Sequence, residues 1–88
     1  MSGGPRYALR IKRSAEKEMD RLPRDIFQRV TNALLALEQE PRPRGCRKLR
    51  GSDQYRIRVG VYRVLYAVLD ADRVVEVVAI GHRRDVYG

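Results

Sequence analysis

One cysteine, one histidine and no long apolar run bound what this chain can be. Cys46 has no second cysteine with which to close an internal disulfide, and no cysteine or histidine neighbours stand at the spacing of a zinc site. A small loop residue is the expectation there. The longest apolar stretches, such as Val74 to Ile80 interrupted by Glu76, fall far short of the roughly 20 residues of a membrane-spanning helix. Met1 to Pro5 is polar and Arg6, Arg10, Lys12 and Arg13 follow, so no secretory signal pattern is present, and a cytoplasmic location without a membrane partner is expected. At 88 residues the chain has room for one domain, residues 1–88, with a modest core. Its 34% charged and 43% hydrophobic residues exclude a disordered chain.

Acidic residues are scarce where basic ones crowd. Arg42, Arg44, Arg47, Lys48, Arg50, Arg56, Arg58 and Arg63 face only Asp53 within residues 42–63, a local net charge of +7 in a chain whose total is +8. A positive field focused in this way attracts a polyanion, and nucleic acid is the commonest one.

Periodicity says how that charge is carried. Tyr7, Leu9 and Ile11 alternate with Ala8, Arg10 and Lys12, the pattern of a half-buried strand. A short helix is expected next, with Ser14 as its N-cap, Glu16 and Glu18 favoured by the helix dipole, and Ala15, Met19 and Leu22 on one face. Pro23 ends that helix or opens the following one. Ile26, Val30, Ala33, Leu34 and Leu37 then recur at three- and four-residue spacing, with Phe27 at the edge of the stripe, and predict a longer amphipathic helix ending before Pro41. Pro41, Pro43 and Gly45 turn the basic segment around them into a loop.

Beyond the loop the period becomes two. Tyr55, Ile57 and Val59 alternate with Arg56 and Arg58, a tight turn at Gly60 and Val61 leads into Tyr62 to Leu69, and Asp70 to Asp72 turn the chain into Arg73 to Ile80. The expected fold is α+β: a small antiparallel sheet, made of the first strand and a C-terminal three-strand meander, covered on its apolar face by two N-terminal helices. Arg56 and Arg58 then share the open face, and Arg63 on the neighbouring strand lies across from them. A solvated strand face would also carry scattered arginines, but like charges set opposite each other destabilise a sheet unless an anion relieves them.

Several motifs in fixed order resemble the RelE toxins of the RelE/ParE superfamily. They are Tyr7 to Lys12, Ser14-Ala15-Glu16-Lys17-Glu18, Leu22-Pro23, Pro41-Arg42-Pro43, Lys48-Leu49-Arg50-Gly51, Tyr55-Arg56-Ile57-Arg58-Val59-Gly60, Tyr62-Arg63-Val64-Leu65-Tyr66 and Ile80-Gly81-His82-Arg83-Arg84-Asp85-Val86-Tyr87. The resemblance implies a RelE-like fold and a ribosome-dependent mRNA endonuclease that enters the ribosomal A site and is neutralised by a RelB-like acidic antitoxin. It carries catalytic roles to Arg56, Arg58, Arg63, Arg83 and Tyr87, and contact with RNA or the ribosome to Lys48 and Arg50. Arg44 and Arg47, in the same basic loop, are further candidate contacts.

The sequence departs from the family pattern at two places. Arginines stand at 56 and 58 where relatives carry lysines, and arginine cannot act as a base near neutral pH. His82 stands where relatives carry another basic residue; histidine is the side chain suited to proton transfer near neutral pH, which makes it the candidate general acid. Asp53 and Asp85 are the only acids near these positions, which argues against a magnesium site, so no metal and no cofactor is expected. The expected chemistry is attack by the RNA's own 2′-hydroxyl, with the arginines stabilising charge on phosphorus and Tyr87 stacking on the scissile nucleotide. Two alternatives stand beside it: a ParE-like inhibitor of DNA gyrase, and a non-catalytic RNA- or ribosome-binding module.

Overall fold

The computed structural model describes residues 6–82. Strand β1 (Ala8–Ile11) leads into helices α1 (Arg13–Asp20) and α2 (Arg24–Leu37), followed by strands β2 (Arg47–Lys48), β3 (Gln54–Val59), β4 (Tyr62–Leu69) and β5 (Val74–His82). The sheet order is β1-β5-β4-β3-β2. The architecture of helices on one side of a small sheet is the expected one, with two differences. β1 joins the sheet parallel to β5, which makes the sheet mixed, and β2 adds a short fifth strand at the opposite edge. Alternation along β1 reports a half-buried strand but carries no information on the direction of its partner. Two residues of β2 are too few to show a period at all.

The helix stripes bury as their spacing requires. Ala15 and Met19 of α1 and Val30, Leu34 and Leu37 of α2 meet Ile57, Val59, Val64, Tyr66, Val68, Val75, Val77 and Ile80 of the sheet in one core, whereas Phe27 stays 40% exposed at the margin. The start of α1 differs from expectation. Lys12 is its N-cap and no side chain caps the helix, so Ser14 lies inside the first turn. Glu18 has a tertiary role: its Oε1 accepts a 2.8 Å hydrogen bond from the backbone N–H of Ile80, tying α1 to β5. Pro23 is the N-cap of α2, in extended conformation.

The β4–β5 ladder is interrupted once. Leu65 pairs with Ala79 but Tyr66 pairs with Val77, so Val78 is an extra residue on β5. Side chains therefore change face there: Val75 and Val77 point into the core before the bulge, and Ile80 does so after it. At the other end of β4, Gly60 takes a left-handed φ of 63° in the two-residue turn with Val61, a conformation that costs glycine little.

Candidate nucleic-acid interface

The open face of the sheet is built from arginine pairs. Arg58 of β3 stands directly opposite Arg63 of β4, and Arg47 of β2 stands directly opposite Arg56 of β3. Directly opposed residues share a face, as do residues two apart on one strand, so four guanidiniums project to one side. Arg44, Gly45, Arg47, Arg56, Ile57 and Arg58 line a cleft of about 280 Å³. On the same face, Leu65 lies opposite Arg56, Ala79 opposite Leu65, and Gly81 opposite Arg63. Guanidiniums offer several N–H donors each and are poor bases, so this surface is suited to holding anions and to stabilising negative charge rather than to shuttling protons.

The family model for ParE toxins of type II toxin–antitoxin systems (parDE) matches residues 9–87. The chain belongs to the RelE/ParE toxin superfamily. The solved structures similar to this toxin include the archaeal RelE–RelB complex from Pyrococcus horikoshii OT3, with a TM-score of 0.79 and 30% identity, covering 92% of this chain and 99% of that one. The intact E. coli RelBE toxin–antitoxin complex aligns with a TM-score of 0.77 and 32% identity over 86% of this chain and 95% of that one. The RelBE2 toxin–antitoxin complex from Mycobacterium tuberculosis aligns with a TM-score of 0.79 and 27% identity over 94% and 98% of the two chains.

Within this RelE/ParE toxin, the residues singled out from the sequence fall into three groups. Arg56, Arg58 and Arg63 share one face as the strand period requires; Arg44 and Arg47 join Arg56 and Arg58 at the cleft, and Arg63 lies beside Arg58 outside it. Lys48 and Arg50 do not. Lys48 is opposite Tyr55, which places it on the helix side of the sheet at its edge, and Arg50 is exposed in the turn beyond. His82 is also apart. It pairs with Tyr62, one residue before Arg63, so it lies on the face opposite the arginines. Its ring meets that of Tyr62 edge-on, and it lines a separate cleft of about 310 Å³ with Glu18, Arg21, Leu22, Ile80 and Gly81. Arg83 and Tyr87 lie outside the described residues.

Arg42 belongs to the basic segment by sequence but is already engaged. Its Nη2 lies 2.6 Å from Asp70 Oδ2, its Nε donates to the Tyr55 hydroxyl at 2.9 Å, and the guanidinium carbon sits 5.3 Å from the Tyr55 ring centre. The Tyr7 hydroxyl donates to the other Asp70 oxygen at 2.7 Å. Hydrogen bonds from Arg42 and then Tyr7 hold the Asp70 carboxyl below the usual carboxylate range, and those to Asp70 and Tyr55 raise the Arg42 pKa further. Sequence pattern had no means of finding this pairing, because 28 residues separate its charged partners. Among the described residues, no cluster of three His, Cys, Asp or Glu side chains is placed to hold a metal ion, and no helix is long and apolar enough to cross a membrane.

Proposed function

We propose that this toxin is a ribosome-dependent endoribonuclease that cuts mRNA in the ribosomal A site and thereby stops translation. The observation that carries the reading is the opposed pairing of Arg58 with Arg63 and of Arg47 with Arg56 on one face of the sheet, where Arg47, Arg56 and Arg58 line a cleft with Arg44. Guanidiniums gathered in this way suit a phosphodiester backbone laid across them. The cut needs no cofactor. The RNA 2′-oxygen attacks the adjacent phosphorus as its proton departs, the bond from phosphorus to the 5′-oxygen breaks, and a proton reaches that oxygen. The products carry a 2′,3′-cyclic phosphate and a 5′-hydroxyl.

Arg56, Arg58 and Arg63 stabilise the charge that grows on the phosphoryl oxygens, each well-placed donor contributing about 3 kcal/mol. Arg44 and Arg47 hold neighbouring phosphates, and Lys48 and Arg50, at the sheet edge, contact ribosomal RNA. Arg83 and Tyr87 enter the proposal by their place in the family motif, Arg83 as a further phosphate donor and Tyr87 stacking on the scissile nucleotide. His82 is assigned no proton transfer, because it sits on the other side of the sheet from the arginines. The similar solved complexes contain RelB-type antitoxins, and a RelB-like antitoxin of acidic character would fit the charge of this face and is the expected inhibitor.

The test adds the purified chain to ribosomes programmed with a defined mRNA and to the naked mRNA, and maps the 5′ ends of the fragments. Cuts at the A-site codon only in the presence of ribosomes are expected. The family description names ParE, so a gyrase supercoiling assay runs beside it; inhibition there with intact mRNA would overturn the nuclease reading.

A further inference from the structure

The basic loop between α2 and β2 is held from several sides before any ligand arrives. The hydroxyl of Tyr66, a fully buried side chain, donates to the Pro41 carbonyl at 2.8 Å, and Tyr66 stacks on Tyr55 with ring centres 5.9 Å apart. Arg42 is fixed to Asp70 in the β4–β5 turn and to Tyr55 in β3. At the far end, the Cys46 N–H donates to the Pro43 carbonyl at 3.1 Å, and Arg47 enters the sheet. Arg44 and Gly45 lie between these anchors and form one wall of the arginine cleft. Arg47 is placed by its strand, so Arg44 is the cleft arginine whose position depends most on the Arg42 anchor.

We propose that the Arg42–Asp70 pair, with Tyr7 and Tyr55, is a latch that positions Arg44 at the mouth of the arginine cleft, so that a cation outside the cleft sets the cleft's affinity for RNA phosphate. Arg42 and Asp70 are positioning residues. The ion pair is exposed and contributes little to global stability, as surface pairs do. Its effect is local: it restricts the loop before binding, so less ordering is left to occur when RNA arrives. The kinetic consequence rests on the nuclease reading, whereas the order of the loop does not.

Asp70→Asn tests the latch through two readouts. Hydrogen exchange at the Cys46 amide is expected to accelerate roughly tenfold while core amides such as Val64 keep their protection, as local opening without global unfolding requires. On programmed ribosomes, KM is expected to rise roughly tenfold with kcat within about twofold of wild type, because the reacting groups are untouched. The KM increase should be absent when Asp70→Asn is added to Arg44→Ala, since a latch has nothing to position once Arg44 is removed. Asp70→Glu, which keeps the charge, should restore most of the affinity, and Arg42→Gln should reproduce the defect. Unchanged exchange at Cys46 would overturn the latch whether or not the chain cuts RNA. Faster exchange with a full KM increase that persists in the Arg44→Ala background would overturn the link to Arg44. If the wild type cuts nothing, the nuclease reading falls and the exchange result still decides the latch.

Discussion

The His82 ring packs edge-on against Tyr62, with ring centres 5.8 Å apart and planes at 74°, on the side of the sheet that the helices cover. Arg63, the next residue after Tyr62, points to the opposite side. His82 and Arg63 are therefore on opposite sides of the sheet, and their substitutions should behave differently.

Replacing His82 with glutamine should lower cleavage on programmed ribosomes by less than about tenfold, whereas loss of a true general acid costs about 10² to 10⁴ in rate. Arg63→Ala should abolish cleavage in a protein that still folds. Single-turnover cutting by the two purified variants, with circular dichroism to check the fold, decides both. A collapse of activity in His82→Gln would return the histidine to the reaction.

The Arg58–Arg63 pair opposes like charges across the ladder. Arg58→Gln relieves that repulsion and should raise stability by about 0.5 kcal/mol, read as a higher urea midpoint at unchanged slope. The same variant should bind and cut RNA less well, because a charge-assisted phosphate contact is lost. Lower stability in Arg58→Gln would mean that the arginine packs on the sheet more than it repels its neighbour.

Asp70 is held below the ordinary aspartate range by Arg42 and Tyr7, which fixes the sign of its pH effect. A carboxyl with a depressed folded-state pKa adds stability above its unfolded pKa, and that contribution is lost as pH falls through the folded value. The urea midpoint of the wild type should exceed that of Asp70→Asn only slightly near pH 7, as an exposed pair allows, and that small gap should close as pH drops below about 4. A gap that widens in acid would show that the carboxylate is not stabilised in the folded state.

Much of the arginine face was legible in the chain because its determinants are local. Arg56 and Arg58 are two apart on an alternating strand, and the two-residue Gly60–Val61 turn sets the β3–β4 register so that Arg63 falls opposite Arg58. The helix stripe from Ile26 to Leu37 was legible for the same reason: its period is contained in one element. Arg47 reads from the sequence as a basic loop residue and not as a strand residue opposite Arg56, because a two-residue ladder has no periodicity to read.

His82 shows the limit of that reading. Strict alternation from Val75 and Val77 would put residues 79 and 81 on the core side and His82 with the arginines; the extra residue at Val78 reverses the order, sends Ile80 into the core and turns His82 toward Tyr62. Composition, charge focus and local periods thus determined by themselves that this chain makes two amphipathic helices, an arginine-bearing meander and a surface suited to a polyanion. Tertiary structure decided the parallel pairing of β1, the side on which His82 lies and the engagement of Arg42 by Asp70. A bulge is specified by packing across strands and a long-range ion pair by the meeting of distant turns, and neither leaves a period in the local sequence.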